Sequence, residues 1–342
     1  MKARVAVAAT GAIAAIAVAT PGASSSSTPP IPAGHHIYAV SIGGGSPTRL
    51  TTSPLDELSP AMSPDGTAIV FSRGRDLWLM NGDGTNQRML AAAPQDVSYV
   101  QPSWSPDGRA VAFTAWDVSS CVPTGTGCAA PSVMVVRADG SGLRRIRARA
   151  MTPRWSPRGA NLVFAADVVP KEVKATSIFA VSLDGYGPRL AHSRTFVGSP
   201  SWSPNGRRIV YTRFGASGSP SAVYVVRTNG TGRRRLTTGD RAEWSPRGDL
   251  IAISDRGRLS LVRSRGRPRA RRLAFSTWVS WSRRGDRLAL LDWRLAVIRP
   301  NGRSYRVLCC EQRSGFGQDA PSWSPRGDRL FYAFRPDELP PR

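Results

Sequence analysis

An all-β fold built from seven small antiparallel sheets is predicted by three observations. The turn-forming stretch Trp104-Ser105-Pro106-Asp107-Gly108 returns six more times, as Met62 to Gly66, Trp155 to Gly159, Trp202 to Gly206, Trp244 to Gly248, Trp281 to Gly285 and Trp323 to Gly327. Successive glycines of these stretches lie 42, 51, 47, 42, 37 and 42 residues apart, a period suited to one supersecondary unit per repeat. Each glycine is followed by an apolar run such as Ala68 to Phe71, Ile209 to Tyr211 or Leu330 to Tyr332, so the stretch reads as a turn between two strands.

The turn has a residue-level cause. Proline presets φ at the second position, Asp, Asn or Arg takes the third, and glycine supplies the positive φ that follows. Two copies depart from the pattern: Met62 replaces the Trp and Arg283 replaces the Pro. Looser packing is expected at the first and a less rigid turn at the second.

A second hairpin follows in almost every unit. Leu77 to Met80 precedes Asn81-Gly82, Val133 to Val136 precedes Asp139-Gly140, Ile178 to Val181 precedes Asp184-Gly185, and Val223 to Val226 precedes Asn229-Gly230. Leu259 to Val262, and Leu295 to Ile298 with Asn301-Gly302, complete the series. Asn-Gly and Asp-Gly between apolar runs are hairpin signals. Each unit is therefore a four-stranded meander, A to D.

The chain ends after strands A and B of the seventh copy, while Ile37 to Val40 and Thr48 to Thr51 supply a C and D pair with no A and B before it. These halves complete one another, closing a ring with no free edge. The expectation is a seven-bladed β-propeller closed by a 2+2 blade; six blades are the alternative if the Met62 or Trp281 copy is degenerate.

Organisation outside the repeats is brief. Lys2 and Arg4 precede an apolar small-residue run from Val5 to Ala19, which reads as a secretory signal peptide over 1–23. A Ser/Thr/Pro-rich linker over 24–34 and the propeller over 35–342 follow. The adjacent His35 and His36 have no carboxylate or Cys close in sequence and are read as incidental, not as metal ligands.

The formal net charge is +24, with 47 Lys and Arg against 23 Asp and Glu. Only Lys2, Lys171 and Lys174 are lysines, a skew that GC-rich coding alone would give. Arg49, Arg88, Arg145, Arg189, Arg235, Arg272 and Arg306 fall at similar points of the repeat, and the favoured reading is protection of an exposed edge strand. An anionic envelope polymer bound by an Arg-rich rim is the alternative; no nucleic-acid partner is expected.

The motif Ser-Pro-x-Trp-Ser-Pro-x-Gly, as in Ser199 to Gly206, with Ala320 to Gly327 close to it, resembles the WD40-like PD40 repeat of TolB-type propellers, over about Ile37 to Phe334. TolB itself is periplasmic, six-bladed, preceded by an α/β domain, and bound to a partner lipoprotein at the propeller mouth. The residues ahead of the first repeat leave no room for that domain. The resemblance implies an exported interaction propeller, periplasmic, envelope-associated or extracellular.

Loop length points to a binding face. The A–B and C–D turns share one face of the ring, and the B–C and D–A loops share the other. Three consecutive B–C loops are long: Thr114 to Ser132, Ala165 to Ser177 and Thr212 to Ala222. They and their stems carry Trp116, Asp117, Lys171, Glu172, Lys174, Arg213 and Phe214, a mixed aromatic and charged set suited to a protein or glycan partner. Cys121 and Cys128 in the longest loop are expected to form a disulfide in an exported protein. Cys309 and Cys310 stay open between a vicinal bridge and two thiols.

Catalysis is not expected. The chain has three histidines and no Gly-x-Ser-x-Gly elbow. Counting four residues back from each signature position, the channel mouth is expected to hold Leu58, Val100, Met151, Gly198, Asp240, Thr277 and Asp319. Asp240 and Asp319 are too few acids for a metal site and read as caps for loop amides or Arg partners. No cofactor or metal is expected, and the chain is read as a monomer that binds without catalysis; a channel-mouth lyase or hydrolase is the rival.

Overall fold

The computed structural model describes residues 34–117, 131–166, 176–193, 195–215, 219–265, 270–292, 294–309 and 319–335. In all seven turn stretches the glycine has positive φ, between 63° and 81°. The turn serine then acts as a clamp. Ser63 Oγ accepts from Ala68 N at 3.0 Å and donates to Asp65 at 2.5 Å, and Ser105 does the same with Ala110 and Asp107. In three of the four copies where Arg takes the Asp position, an acid two residues later replaces it: Ser245 bonds Asp249, Ser282 bonds Asp286 and Ser324 bonds Asp328, while the Arg158 copy has Ala160 there. The Arg283 turn therefore keeps its clamp and its 2.7 Å Gly285 N to Ser282 O bond without a proline.

The strands run in chain order as follows. The N-terminal pair is β1 (His36–Ser41) and β2 (Thr48–Arg49). Blade 1 is β3 (Glu57–Met62), β4 (Ala68–Arg73), β5 (Asp76–Asn81) and β6 (Arg88–Ala91). Blade 2 is β7 (Val97–Trp104), β8 (Ala110–Asp117), β9 (Ser132–Arg137) and β10 (Arg144–Ala148). Blade 3 is β11 (Ala150–Trp155), β12 (Asn161–Ala166), β13 (Thr176–Ser182) and β14 (Arg189–Ser193). Blade 4 is β15 (Val197–Trp202), β16 (Arg208–Arg213), β17 (Ala222–Arg227) and β18 (Arg234–Thr238). Blade 5 is β19 (Arg241–Trp244), β20 (Leu250–Asp255), β21 (Arg258–Arg263) and β22 (Ala270–Phe275). Blade 6 is β23 (Trp278–Trp281), β24 (Leu288–Leu291), β25 (Leu295–Ile298) and β26 (Arg306–Cys309). β27 (Ser322–Trp323) and β28 (Arg329–Phe334) are the last strands among the described residues.

Seven four-stranded sheets result, and the seventh has the order β2-β1-β28-β27. The fold is a seven-bladed β-propeller, and the 2+2 closure is direct: β1 pairs antiparallel with β28 from His36↔Phe334 to Ser41↔Arg329. The first strands of neighbouring blades contact one another, so they surround the axis and the fourth strands form the outer rim.

Burial explains the apolar runs. The second strand of each blade packs on both sides: Ile69, Val70 and Phe71 are fully buried, as are Val111 to Phe113 and Leu162 to Ala166. Between blades 3 and 4, for example, Val163, Ile178, Trp202, Ile209 and Tyr211 form one cluster.

The signature Trp sews blades together. Its indole N–H donates to the carbonyl of the residue just before the signature position of the preceding blade: Trp104 to Ala61, Trp155 to Ser103, Trp202 to Arg154, Trp281 to Glu243 and Trp323 to Ser280, at 2.9 to 3.3 Å. Trp244 turns instead to Gly248 O in its own blade. Met62 has no such donor. A cleft of about 440 Å³ on the turn face is lined by Met62, Trp281 and Trp323. Arg283 reaches from blade 6 across it to Pro64 O of blade 1, at 2.5 Å.

Arginines add an outer stitch. Arg88, Arg144, Arg271 and Arg306 each donate to a carbonyl in the C–D turn of the next blade: Ala138, Leu183 (2.6 Å), Asn301 and Gly43 (2.6 Å). Arg234 reaches Ser264 O similarly at 3.5 Å. Register puts these five at one equivalent position, where blades 3 and 7 have Pro188 and Thr48. The arginines grouped from sequence are therefore two sets, because Arg49, Arg145, Arg189, Arg235 and Arg272 lie one position further on.

Candidate binding face and central channel

Charged groups concentrate first at the closing seam. Glu57 of β3 is fully buried; its carboxylate accepts from Arg73 Nε at 2.7 Å and lies 3.1 Å from His36 Nδ1 of β1. Arg49 Nη2 lies 3.0 Å from His36 Nε2. Guanidinium only donates, so Nε2 accepts and Nδ1–H donates to Glu57. Arg73 also stacks over Trp78, 4.2 Å from its ring centre. Beside this network, Asp56 accepts from the His35 backbone N–H at 2.8 Å and contacts its ring at 3.0 Å, with Arg335 at 3.5 Å. The His35 side-chain bond above all, then its backbone N–H and the charges of His35 and Arg335, hold the Asp56 carboxyl far below the ordinary range against the opposing pull of desolvation. His35 and His36 are thus seam residues, each paired with an acid 21 positions away.

The channel comes second. In blades 5 and 6 the inner strands are regular, and period-two alternation puts the residues one and three before the signature Trp on the sheet face opposite to it. These are Glu243 with Arg241, and Ser280 with Trp278. At the D–A ends of the inner strands Arg241 stacks on Trp278, 3.4 Å from the ring centre, and Trp278 itself packs against the core between blades 6 and 7. Loss of hydration lowers the Arg241 pKa, opposed by the nearby charges of Asp319 and Asp240. Toward the turn face Glu243 accepts weakly from Trp281 N at 3.4 Å. Enclosure by protein pushes its carboxyl up to about 7, opposed by the Trp281 N–H and the charge of Arg154 across the channel.

Blades 1 to 4 differ, because a β-bulge interrupts each inner strand. Ser59, Gln101, Thr152 and Ser199 have φ between 50° and 57°, each just before a proline. The bulge shifts the facing of the residues before it. Leu58 and Met151, expected at the mouth, pack against inter-blade cores instead. Val100 is half-buried, Gly198 is buried, and Thr277 is exposed.

Of the two acids, Asp240 caps a local turn and Asp319 links two blades. Asp240 accepts from Arg256 N at 2.8 Å and so closes the B–C turn of its own blade. Asp319 accepts a hydrogen bond from Ser59 Oγ of blade 1. Among the described residues, no group of three or more His, Cys, Asp and Glu side chains is placed to hold a metal ion.

On the B–C/D–A face, Trp116 and Asp117 end β8 in blade 2, both half-buried. Arg213 ends β16 in blade 4, exposed, and its guanidinium lies 5.4 Å from the Tyr224 ring centre. Phe214 follows it and packs on Phe196 of the D–A loop, ring centres 5.3 Å apart. The two stems are separated by blade 3 and form two patches. Lys171, Glu172, Lys174, the Cys121 and Cys128 expected to form a disulfide, Cys310, and residues 1–23 expected to be a signal peptide lie outside the described residues. Cys309 Sγ sits 3.0 Å from Tyr332 OH at the core between blades 6 and 7.

Seven four-stranded sheets closed around one axis define a repeat propeller. The family model of the TolB beta propeller domain, PD40, matches residues 74–265, and the chain belongs to that family. Over 137 residues it is 30% identical to the protein TolB homolog of Chlorobium luteolum, covering 38% of this chain and 28% of that protein. The chain thus spans well under half the length of that relative. Among solved structures, the putative TolB from Agrobacterium tumefaciens aligns over 90% of this chain and 99% of its own, with TM-score 0.54 and 18% identity. An oligogalacturonate lyase in complex with manganese aligns over 85% and 80%, with TM-score 0.59 and 14% identity. At such identities these two likenesses are of fold alone.

Proposed function

We propose that this propeller is an exported, non-catalytic scaffold that binds a partner protein or glycan of the cell envelope or extracellular space on its B–C/D–A face. One observation carries the reading: that face holds Arg241 stacked on the half-buried Trp278 at the D–A ends of blades 5 and 6 and the Phe196–Phe214 pair on blade 4, with Trp116 on blade 2. Aromatic and Arg anchors set among polar groups are what protein and glycan recognition uses. Asp240 is committed to a loop cap and Asp319 to Ser59 Oγ of blade 1, which favours binding over chemistry. Membership of the TolB propeller family agrees with an envelope role.

The test is capture of envelope components by the chain from His35 onward, with Trp278→Ala and Phe214→Ala as separate variants. A partner retained at low and high salt and lost at least tenfold with either variant supports the reading. A partner retained equally by both variants removes this face from consideration.

A further inference from the structure

The basic residues of the rim divide into two sets with different work. Five arginines are spent on stitching blade to blade, as Arg88, Arg144, Arg234, Arg271 and Arg306 show. Arg145, Arg189, Arg235 and Arg272 are exposed and make no side-chain hydrogen bond, ion pair or ring contact. They occupy one equivalent position on the outermost strands of four consecutive blades, 2 to 5.

Acids are kept away from this track. The seven outer strands contain no Asp or Glu. Asp65, Asp107, Asp249, Asp286 and Asp328 sit in A–B turns and Asp83, Asp139 and Asp184 in C–D turns, bonded to local serines, threonines or backbone N–H groups. Among the described residues no carboxylate pairs with the four guanidinium groups, and each side chain is exposed.

We infer that the outer strands of blades 2 to 5 form a binding track for a linear anionic polymer bearing repeated phosphate or carboxylate groups. Guanidinium forks suit both oxyanions. Curvature selects a polymer over a membrane. Seven blades step by about 51°, so the four arginines span roughly 150° of a convex rim. A flat lipid surface meets one or two of them at a time; a flexible chain follows all four. Edge protection alone would need arginine on the rim but no polymer affinity.

The experiment uses linear inorganic polyphosphate and the full chain, with binding measured between 50 and 200 mM salt. The quadruple variant Arg145→Gln, Arg189→Gln, Arg235→Gln, Arg272→Gln is compared with a turn-face control, Arg109→Gln, Arg158→Gln, Arg207→Gln, Arg326→Gln, of the same net charge. Four contacts to a flexible polyanion give a log–log salt slope of about −2.8, or about a fiftyfold loss of affinity over that range. The rim variant is expected to lose that share of the slope and the control to keep it, with unchanged melting temperature in both. Equal loss in both variants, no binding by the wild type at 50 mM salt, or rim-dependent binding to phosphatidylglycerol vesicles as strong as to polyphosphate would each overturn the inference.

Discussion

Replacing Glu57 with Ala tests how the ring is locked. Glu57 is fully buried, and the Arg73 side chain that it pairs with at 2.7 Å is only 10% exposed. Removing the carboxylate strands that guanidinium and leaves His36 Nδ1–H of β1 without its acceptor. Breaking a buried pair by deleting one partner costs about 3–5 kcal/mol. The lower end is expected here, because Arg73 keeps its bond to Gln87 and its stack on Trp78. The expected loss is about 3 kcal/mol in denaturant unfolding at pH 7. Glu57→Leu with Arg73→Met replaces both charges with apolar volume, and the double variant should recover about 2 kcal/mol of that loss. A Glu57→Ala variant within about 0.5 kcal/mol of wild type would refute the reasoning, since surface-like substitutions have that size. So would a double variant no more stable than Glu57→Ala.

Other outcomes follow from the same geometry. Met62→Trp restores the indole missing from blade 1, which can reach Ser322 O as its counterparts reach their preceding blades; a gain of about 1 kcal/mol is expected, read by denaturant midpoint. Trp155→Phe removes the 2.9 Å bond to Ser103 O and should cost about 1–2 kcal/mol in the same assay. For Asp56, whose folded pKa is lowered, stability is fully present above the unfolded value near 4 and is lost as pH falls below it; Asp56→Asn should flatten melting temperature against pH in that acid range. Glu243 has the opposite sign. Its folded pKa is raised to about 7, so its contribution is full below about pH 4.3 and declines as pH rises toward 7, and Glu243→Gln should gain on wild type over that window. A Glu243 carboxyl resonance titrating near 4 would contradict its enclosure.

The repeat made most of the architecture legible. Seven Ser-x-x-Gly turns become seven sheets, and the orphan strand pair at Ile37 to Thr51 completes the last of them. Sequence also anticipated Asp240 as a cap. The channel lining was misread because Ser59, Gln101, Thr152 and Ser199 form bulges that shift the facing of Leu58 and Met151. Offsets of one and three from Trp244 and Trp281, following strand parity, would have found Glu243, Arg241 and Trp278. The His36–Glu57 pair is hidden for a different reason: its partners belong to two blades and meet only when the ring closes. Clasping and free arginines adjoin in sequence, as Arg144 and Arg145 do, and only strand register separates them.

Hydrogen exchange of His36 to Ser41 tests ring closure most directly. If β1 is the third strand of blade 7, its amides should open with about the same free energy as those of β4, Ala68 to Arg73, and Glu57→Ala should lower that protection. Exchange of His36 to Ser41 within seconds, like a frayed terminus, while β4 stays protected would contradict the closed seven-bladed ring.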